Sequence, residues 1–394
     1  MTDTAAWLGR YESAYMRNFG TPKRVLVRGE GCRVWDADGR EYLDLLAGIA
    51  VNSLGHAHPD VVAAVSDQIA TLGHISNLYT SPWQIELSEK LDALVTGNAP
   101  ATPARVFLCN SGSEANDTAF KLTRRTGRTK IVAMEGSFHG RTVGSLSLTS
   151  HAAYREPFEP LPPGAVFVPY GDEEALAAAV DDQTAAVVLE TIQGESGVIP
   201  VPDDYLRAAR RITAEHGALL WVDEVQTGIG RTGRWLSYLP SGITPDIVTL
   251  AKGLGAGFPI GACIATGEAA DMLGPGSHGS TFGGNPLASR AALTVLQVIE
   301  RDGLLAHVTA VGDHLAESVM ALGHPDVLGV SGAGLLRGIV LARDIAAAVN
   351  DRAMERGFLV NAPRPDRIRV APPLIITSAE IDTFVSALPS LLEG

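Results

Sequence analysis

The chain has 394 residues, more than one hydrophobic core usually covers, so at least two domains are expected. Hydrophobic residues make up 46% and charged residues 19%, a globular balance that excludes a disordered chain. With 31 basic against 44 acidic residues the net charge is −13, which argues against a nucleic-acid or anionic-membrane surface but lets local arginines collect a small anion.

Residues 1–60 read as an arm-like start followed by short strands and turns. The opening MTDTAAWLGR has no basic segment before an apolar run, so no signal peptide is expected. No apolar stretch reaches the roughly 18 residues that span a bilayer, and a cytoplasmic protein is the expectation. From 61 to 290, short apolar runs alternate with helical ones. Strands are predicted at 104–110, 130–135, 165–170, 184–190, 218–224 and 246–252, and helices at 113–127 and 203–217. Such alternation predicts a mostly parallel sheet with helices on both faces. Residues 291–394 read as helix, then short strands such as 335–342, then a last helix. The two ends are expected to meet as a smaller α+β domain. The three cysteines, Cys32, Cys109 and Cys263, show no metal-binding spacing and read as small core residues. No metal is expected.

Three stretches carry chemistry. In NSGSEAND (110–117) a strand ends, Gly112 permits a tight turn and a helix begins near Ser113. The free N–H groups of such a start bind phosphate, although an ordinary serine-capped helix has the same residues. In WVDEVQTGIGRTG (221–233) an apolar strand ends in Asp223-Glu224, at the edge where open α/β sheets hold ligands. A solvated acidic pair opening a loop would look alike. In AKGLGAGFPIGA (251–262) Lys252 ends a strand and four glycines follow within nine residues. A lysine held among Gly and apolar groups has a depressed pKa and can act as an amine nucleophile. Lys23, Lys90, Lys121 and Lys130 are the other lysines, and none has this setting. Together, a phosphate-type turn, a strand-end acid and an amine are what a pyridoxal-5′-phosphate (PLP) site needs.

In its motifs the chain resembles the class III (ornithine-type) aminotransferases of PLP fold type I over nearly its whole length. The matching stretches are 49–59, 74–80, 110–116, 138–149, 190–198, 222–233, 249–262, 279–286 and 368–377. The branch acting on N2-acetylornithine is the nearest. The resemblance implies a large domain with a mostly parallel seven-stranded sheet, and a homodimer with shared active sites. It also implies transfer of an amino group from N2-acetylornithine to 2-oxoglutarate, giving N-acetylglutamate 5-semialdehyde and glutamate, in arginine biosynthesis. Lys252 would hold the cofactor as a Schiff base and move protons. Asp223 would pair with the ring nitrogen and Gln226 with the ring hydroxyl. Phe138 and Val225 would cover the ring faces, with His139 also at the cofactor. Gly112 and Ser113 would bind the phosphate, helped by Thr281 of a second copy. Arg141 and Arg369 would bind substrate carboxylates, with Ser280 beside them, and Glu195 would pair with Arg369 when no carboxylate is present.

Thr191, Ser150-His151, Ala256 and Phe258 depart from the family pattern, and none is expected to touch a residue with a role. Other amino donors within the resemblance are N-succinyl-diaminopimelate, N-succinylornithine, 4-aminobutyrate and ornithine. Gly48-Ile49, where a donor with a free α-amino end would meet a tyrosine, tilts the choice toward an acylated amine. Decarboxylases, racemases and aminomutases share the fold, but one substrate would not need a gated second carboxylate site. A non-catalytic PLP-binding regulator would need a basic face or DNA-binding extension, and the sequence has neither.

Overall fold

The apolar runs between residues 104 and 266 assemble into one seven-stranded sheet in the computed structural model, which describes residues 3–97 and 103–393. In space the strands run Ala104–Cys109, Gly261–Thr266, Ile247–Leu250, Leu219–Asp223, Thr184–Glu190, Lys130–Met134 and Ala165–Val168. Gly261–Thr266 is antiparallel to both neighbours, and the other six share one direction. Thr184–Glu190, Leu219–Asp223 and Ile247–Leu250 are buried along their full length, as continuous apolar strands covered on both faces should be.

Six of these strands stand where the apolar runs predict them, from equal in length to three residues shorter. The seventh, GACIAT, lies where the sequence reads as the end of a Gly-rich loop. Its small residues give a weak strand signal, and pairing on both edges fixes it instead. The predicted helix 113–127 is an α-helix over Gly112–Thr123 that tightens into a 3-10 turn before Gly127, and the helix predicted at 203–217 spans Asp203–Glu215.

The two ends of the chain share a sheet. Leu26–Glu30, Arg33–Asp36 and Glu41–Asp44 form antiparallel pairs, and Phe358–Leu359 adds alongside Glu41–Asp44 in parallel. A second antiparallel sheet runs Val327–Ala333, Leu336–Leu341, Arg367–Val370, Asn361–Arg364. Helices Pro286–Arg301, Leu304–Ala321 and Ser378–Leu392 pack on these parts, and one apolar cluster runs from Cys32 to Leu392. All three cysteines are free and buried. Among the described residues no helix is long and apolar enough to cross a membrane, and no His, Cys, Asp and Glu group could hold a metal.

Candidate active site

Carboxyl ends of the parallel strands converge on a cavity of about 310 Å³. Asp223 ends its strand there, in register with Glu190 on the next strand and Thr249 on the other side. Lys252 follows two residues after Leu250 with φ of 41°, a left-handed backbone that costs a lysine about 1–2 kcal/mol. The helix from Gly112 starts at the cavity wall with Ser111 as its cap, whose Oγ accepts from Glu114 N at 3.1 Å. Gly112 has to be bare, because a Cβ there would meet Val225 Cγ1 at 2.7 Å. Free N–H groups of that first helical turn therefore face a space bordered by an amine and a carboxylate.

Three donors fix the Asp223 carboxylate. Oδ2 accepts from Asn116 Nδ2 at 2.8 Å and His139 Nδ1 at 2.7 Å, and Oδ1 accepts from Val225 N at 2.9 Å. Burial alone would lower the His139 pKa, but the bond to Asp223 and the charges of Asp223 and Glu190 raise it. Its Nε2 is buried without a partner. Glu190 accepts Phe138 N at 3.1 Å, and burial pushes its carboxyl up to about 7 against the pull of His139. Burial holds the Lys252 amine below the usual lysine value and Arg369 adds to this, against the opposing charges of Glu195, Glu190 and Asp223.

A second polar group stands behind Gln226. Arg369 is 1% exposed, and its Nη1 donates to Glu195 Oε1 at 2.5 Å and to Gln226 Oε1 at 3.2 Å. Nη2 donates to Asn361 Oδ1 at 2.8 Å, and Nε is buried without a partner. Burial would raise the Glu195 carboxyl, but Arg369 outweighs it and holds the group below its ordinary value.

The cavity wall thus includes Gly112, Ser113, Phe138 and His139, together with Asp223, Val225, Gln226 and Lys252. Five residues given roles by resemblance stand outside it. Arg369 and Glu195 connect to it through Gln226. Arg141 is exposed, its guanidinium 3.6 Å from the Tyr154 ring centroid and 5.4 Å from that of Phe138. Ser280 Oγ accepts from Asn110 Nδ2 at 3.1 Å, and Asn110 lines the cavity. Thr281 is exposed.

The family model for class III aminotransferases ("Aminotransferase class-III") matches residues 14–392. This chain belongs to the class III aminotransferases. It is 57% identical to an acetylornithine aminotransferase of Mycolicibacterium smegmatis over 98% of this chain and 97% of that one. An acetylornithine aminotransferase of Streptomyces coelicolor is 54% identical over 98% and 94%. Among solved structures, an ornithine aminotransferase of Toxoplasma gondii matches with TM-score 0.93 and 31% identity, over 100% of this chain and 96% of that one. An N-acetylornithine aminotransferase of Stenotrophomonas maltophilia matches with TM-score 0.83 and 35% identity, over 98% of both.

In this class III aminotransferase some site residues carry no sequence signal of their own. Asn116, Glu190 and Asn361 read as ordinary helix, strand-end and loop polars. Only the ladder and the helix phase aim them at Asp223, the cavity and Arg369. Two departures stand at or near the site. Phe258 lines the cavity, and the His151 ring stacks on Tyr154 at 4.5 Å, on the ring that carries Arg141. Ala256 keeps a positive φ of 45° that glycine would adopt freely. Thr191 and Ser150 bond Ser237 and Gly136 N respectively and stay off the wall. Ala47, Gly48, Ile49 and Ala50 form a left-handed turn that leads into Val51 on the wall.

Proposed function

We propose that this class III aminotransferase moves the terminal amino group of N2-acetylornithine to 2-oxoglutarate, giving N-acetylglutamate 5-semialdehyde and glutamate, with PLP as cofactor. What carries the substrate reading is the likeness to the M. smegmatis enzyme along almost the whole chain. The backbone does not choose the donor, because ornithine and acetylornithine aminotransferases both superpose on it.

The residues suit PLP. An amine, an oriented carboxylate, two apolar ring contacts and a helix start border one cavity. When bound, the cofactor supplies an aldehyde that condenses with amines and a protonated ring that draws electrons from the substrate carbon. Lys252 would hold the aldehyde, Asp223 the ring nitrogen, Gln226 the ring hydroxyl, Phe138 and Val225 the ring faces, and Gly112 and Ser113 the phosphate. Thr281 would reach the phosphate from a second copy of the chain. Lys252, kept neutral more easily by burial, would take the proton from the substrate carbon next to the nitrogen and deliver it on the cofactor side of that nitrogen. His139 and Asn116 hold Asp223 in one orientation while it keeps a proton opposite it.

Two arginines serve two substrates, because a guanidinium fork suits carboxylates. N2-acetylornithine presents its reacting amine far from its carboxylate, which reaches Arg141 while Glu195 neutralises Arg369. Glutamate presents amine and α-carboxylate together, so Glu195 must swing off and free Arg369. Assays of the five candidate donors with 2-oxoglutarate test the reading. The highest kcat/KM is expected for N2-acetylornithine, and another donor better by about tenfold or more overturns it.

A further inference from the structure

We propose that Tyr154 is a positioning residue for Arg141: its ring face holds the guanidinium in place without neutralising it, which keeps the N–H edge open to the donor carboxylate. The inference rests on the reading of Arg141 as the site of that carboxylate.

The two arginines differ in what holds them. Arg369 is buried and gated by Glu195. The Arg141 guanidinium is exposed and, among the described residues, has neither an ion pair nor a hydrogen bond. It has rings instead. Its central carbon stands 3.6 Å from the Tyr154 centroid and 5.4 Å from that of Phe138. The two rings meet edge to face at 89°, with centroids 6.3 Å apart. They form a corner around the cation, and Phe138 is also on the cavity wall. The backbone of Arg141 is pinned beside the helix start, where its N donates to Ser113 Oγ at 3.1 Å.

Tyr154 is held in turn. It belongs to the short turn Ala152–Arg155, and its N donates to His151 O at 3.0 Å. The His151 ring stacks on it with centroids 4.5 Å apart and planes 22° apart. One ring face has no room for both the imidazole and the guanidinium, so His151 backs the face turned away from Arg141. The next residue, Arg155, lies 4.5 Å from the Phe167 centroid and ties the turn to the strand Ala165–Val168.

An aromatic face attracts a cation and leaves it charged. A carboxylate approaches a guanidinium in its plane, along the N–H fork. Ring and carboxylate therefore use different surfaces of one group and do not compete. A carboxylate partner would instead occupy the fork and have to be expelled, as Glu195 must be from Arg369. A long exposed side chain with no holder would lose its rotamer freedom on binding, and the Tyr154 face removes part of that cost beforehand.

The test follows the N2-acetylornithine half-reaction of the holoenzyme through the cofactor absorbance. Its concentration dependence separates the apparent Kd from the rate at saturation. Tyr154→Ala should weaken the apparent Kd about two- to fivefold, the range of one exposed cation–π contact, and keep the saturated rate. Tyr154→Phe keeps the ring face and should bind as the wild type does, because the hydroxyl has no hydrogen bond among the described residues. Tyr154→Leu keeps apolar bulk without the face. It should match Tyr154→Ala, and it decides if that variant does not fold. In an Arg141→Ala background Tyr154→Ala should add nothing, because it acts through the guanidinium. N-acetyl-1,4-diaminobutane, the same donor without its carboxylate, should compete equally well in wild type and Tyr154→Ala. Unchanged affinity in both the Ala and Leu variants, a Phe variant as weak as they are, a further loss in the Arg141→Ala background, or an equal loss for the carboxylate-free competitor overturns the proposal. If Arg141→Ala binds N2-acetylornithine as the wild type does, the carboxylate reading itself fails and takes the inference with it.

Discussion

Lys252 sits in a left-handed backbone position inside a cavity whose burial disfavours its charge. Lys252→Ala should abolish turnover and leave the fold intact. Borohydride reduction of the holoenzyme should trap the cofactor on the peptide containing residue 252, and label on another lysine would falsify the assignment. Asp223→Asn keeps the shape but removes the charge that would hold a proton on the ring nitrogen. Turnover should fall well beyond about tenfold, or about 1.4 kcal/mol, while cofactor affinity changes less. Glu190 offers a test in the apoprotein. Its pKa near 7 lies above the usual 4.5, so the folded state retains a proton that the unfolded state gives up between those values. The stability this contributes is present below about pH 4.5 and is lost as pH rises through 7. Glu190→Gln, which keeps an acceptor for Phe138 N, should gain melting temperature relative to wild type between pH 5 and pH 8. A constant difference across that range would count against the shift. Lys252 and Asp223 are legible in the sequence because each follows an apolar run into a glycine-rich loop. Glu190 ends a run just as apolar, but no unusual neighbour marks it, and its role emerges only where adjacent strands bring it beside Asp223.

Among elements, the gate joins two parts of the fold that the chain separates widely. Glu195 lies in the loop after Thr184–Glu190, and Arg369 in the strand Arg367–Val370, in register with Gly338. On the proposed reading that ion pair breaks in each cycle, so its net strength should be modest, about 1–3 kcal/mol for a charged hydrogen bond. Glu195→Ala leaves Arg369 open and should favour the glutamate half-reaction relative to the N2-acetylornithine one. Arg369→Ala should slow the glutamate and 2-oxoglutarate side most, and Arg141→Ala the acetylornithine side. Single-turnover rates of each half-reaction decide this, and equal loss of both halves in all three variants sinks the gated pocket. Elements that bury an apolar face were legible here, as in the six predicted strands. The antiparallel strand Gly261–Thr266 was not, because its position depends on long-range pairing with Ala104–Cys109 rather than on local residues. The gate is legible only by resemblance, since a lone Glu and a lone Arg 174 residues apart carry no local pattern.

For the whole molecule, exposed large apolar side chains occur in the N-terminal segment, as at Met16 and Phe19, and near the candidate site. Leu78 is 86% exposed, Tyr79 73% and Phe282 60%, large side chains that a monomer rarely shows together. They belong to one region, because Asn77 Nδ2 donates to Ser280 O at 2.7 Å and the His74 ring lies 5.2 Å from that of Phe282. Thr281, between Ser280 and Phe282, is exposed and absent from its own cavity wall. A two-fold pairing of this face with itself would cover the apolar side chains and carry each Thr281 toward the other copy's helix start at Gly112. Such self-complementary pairs are the commonest assembly. The active species is therefore expected to be a homodimer. Phe282→Asp should weaken it, lowering phosphate-dependent cofactor retention and turnover together as the protein is diluted. Thr281→Ala should leave the dimer intact and reduce cofactor affinity alone. Sedimentation velocity with activity measured across the same dilution series separates the two effects, and a monomer with full activity would refute the shared site.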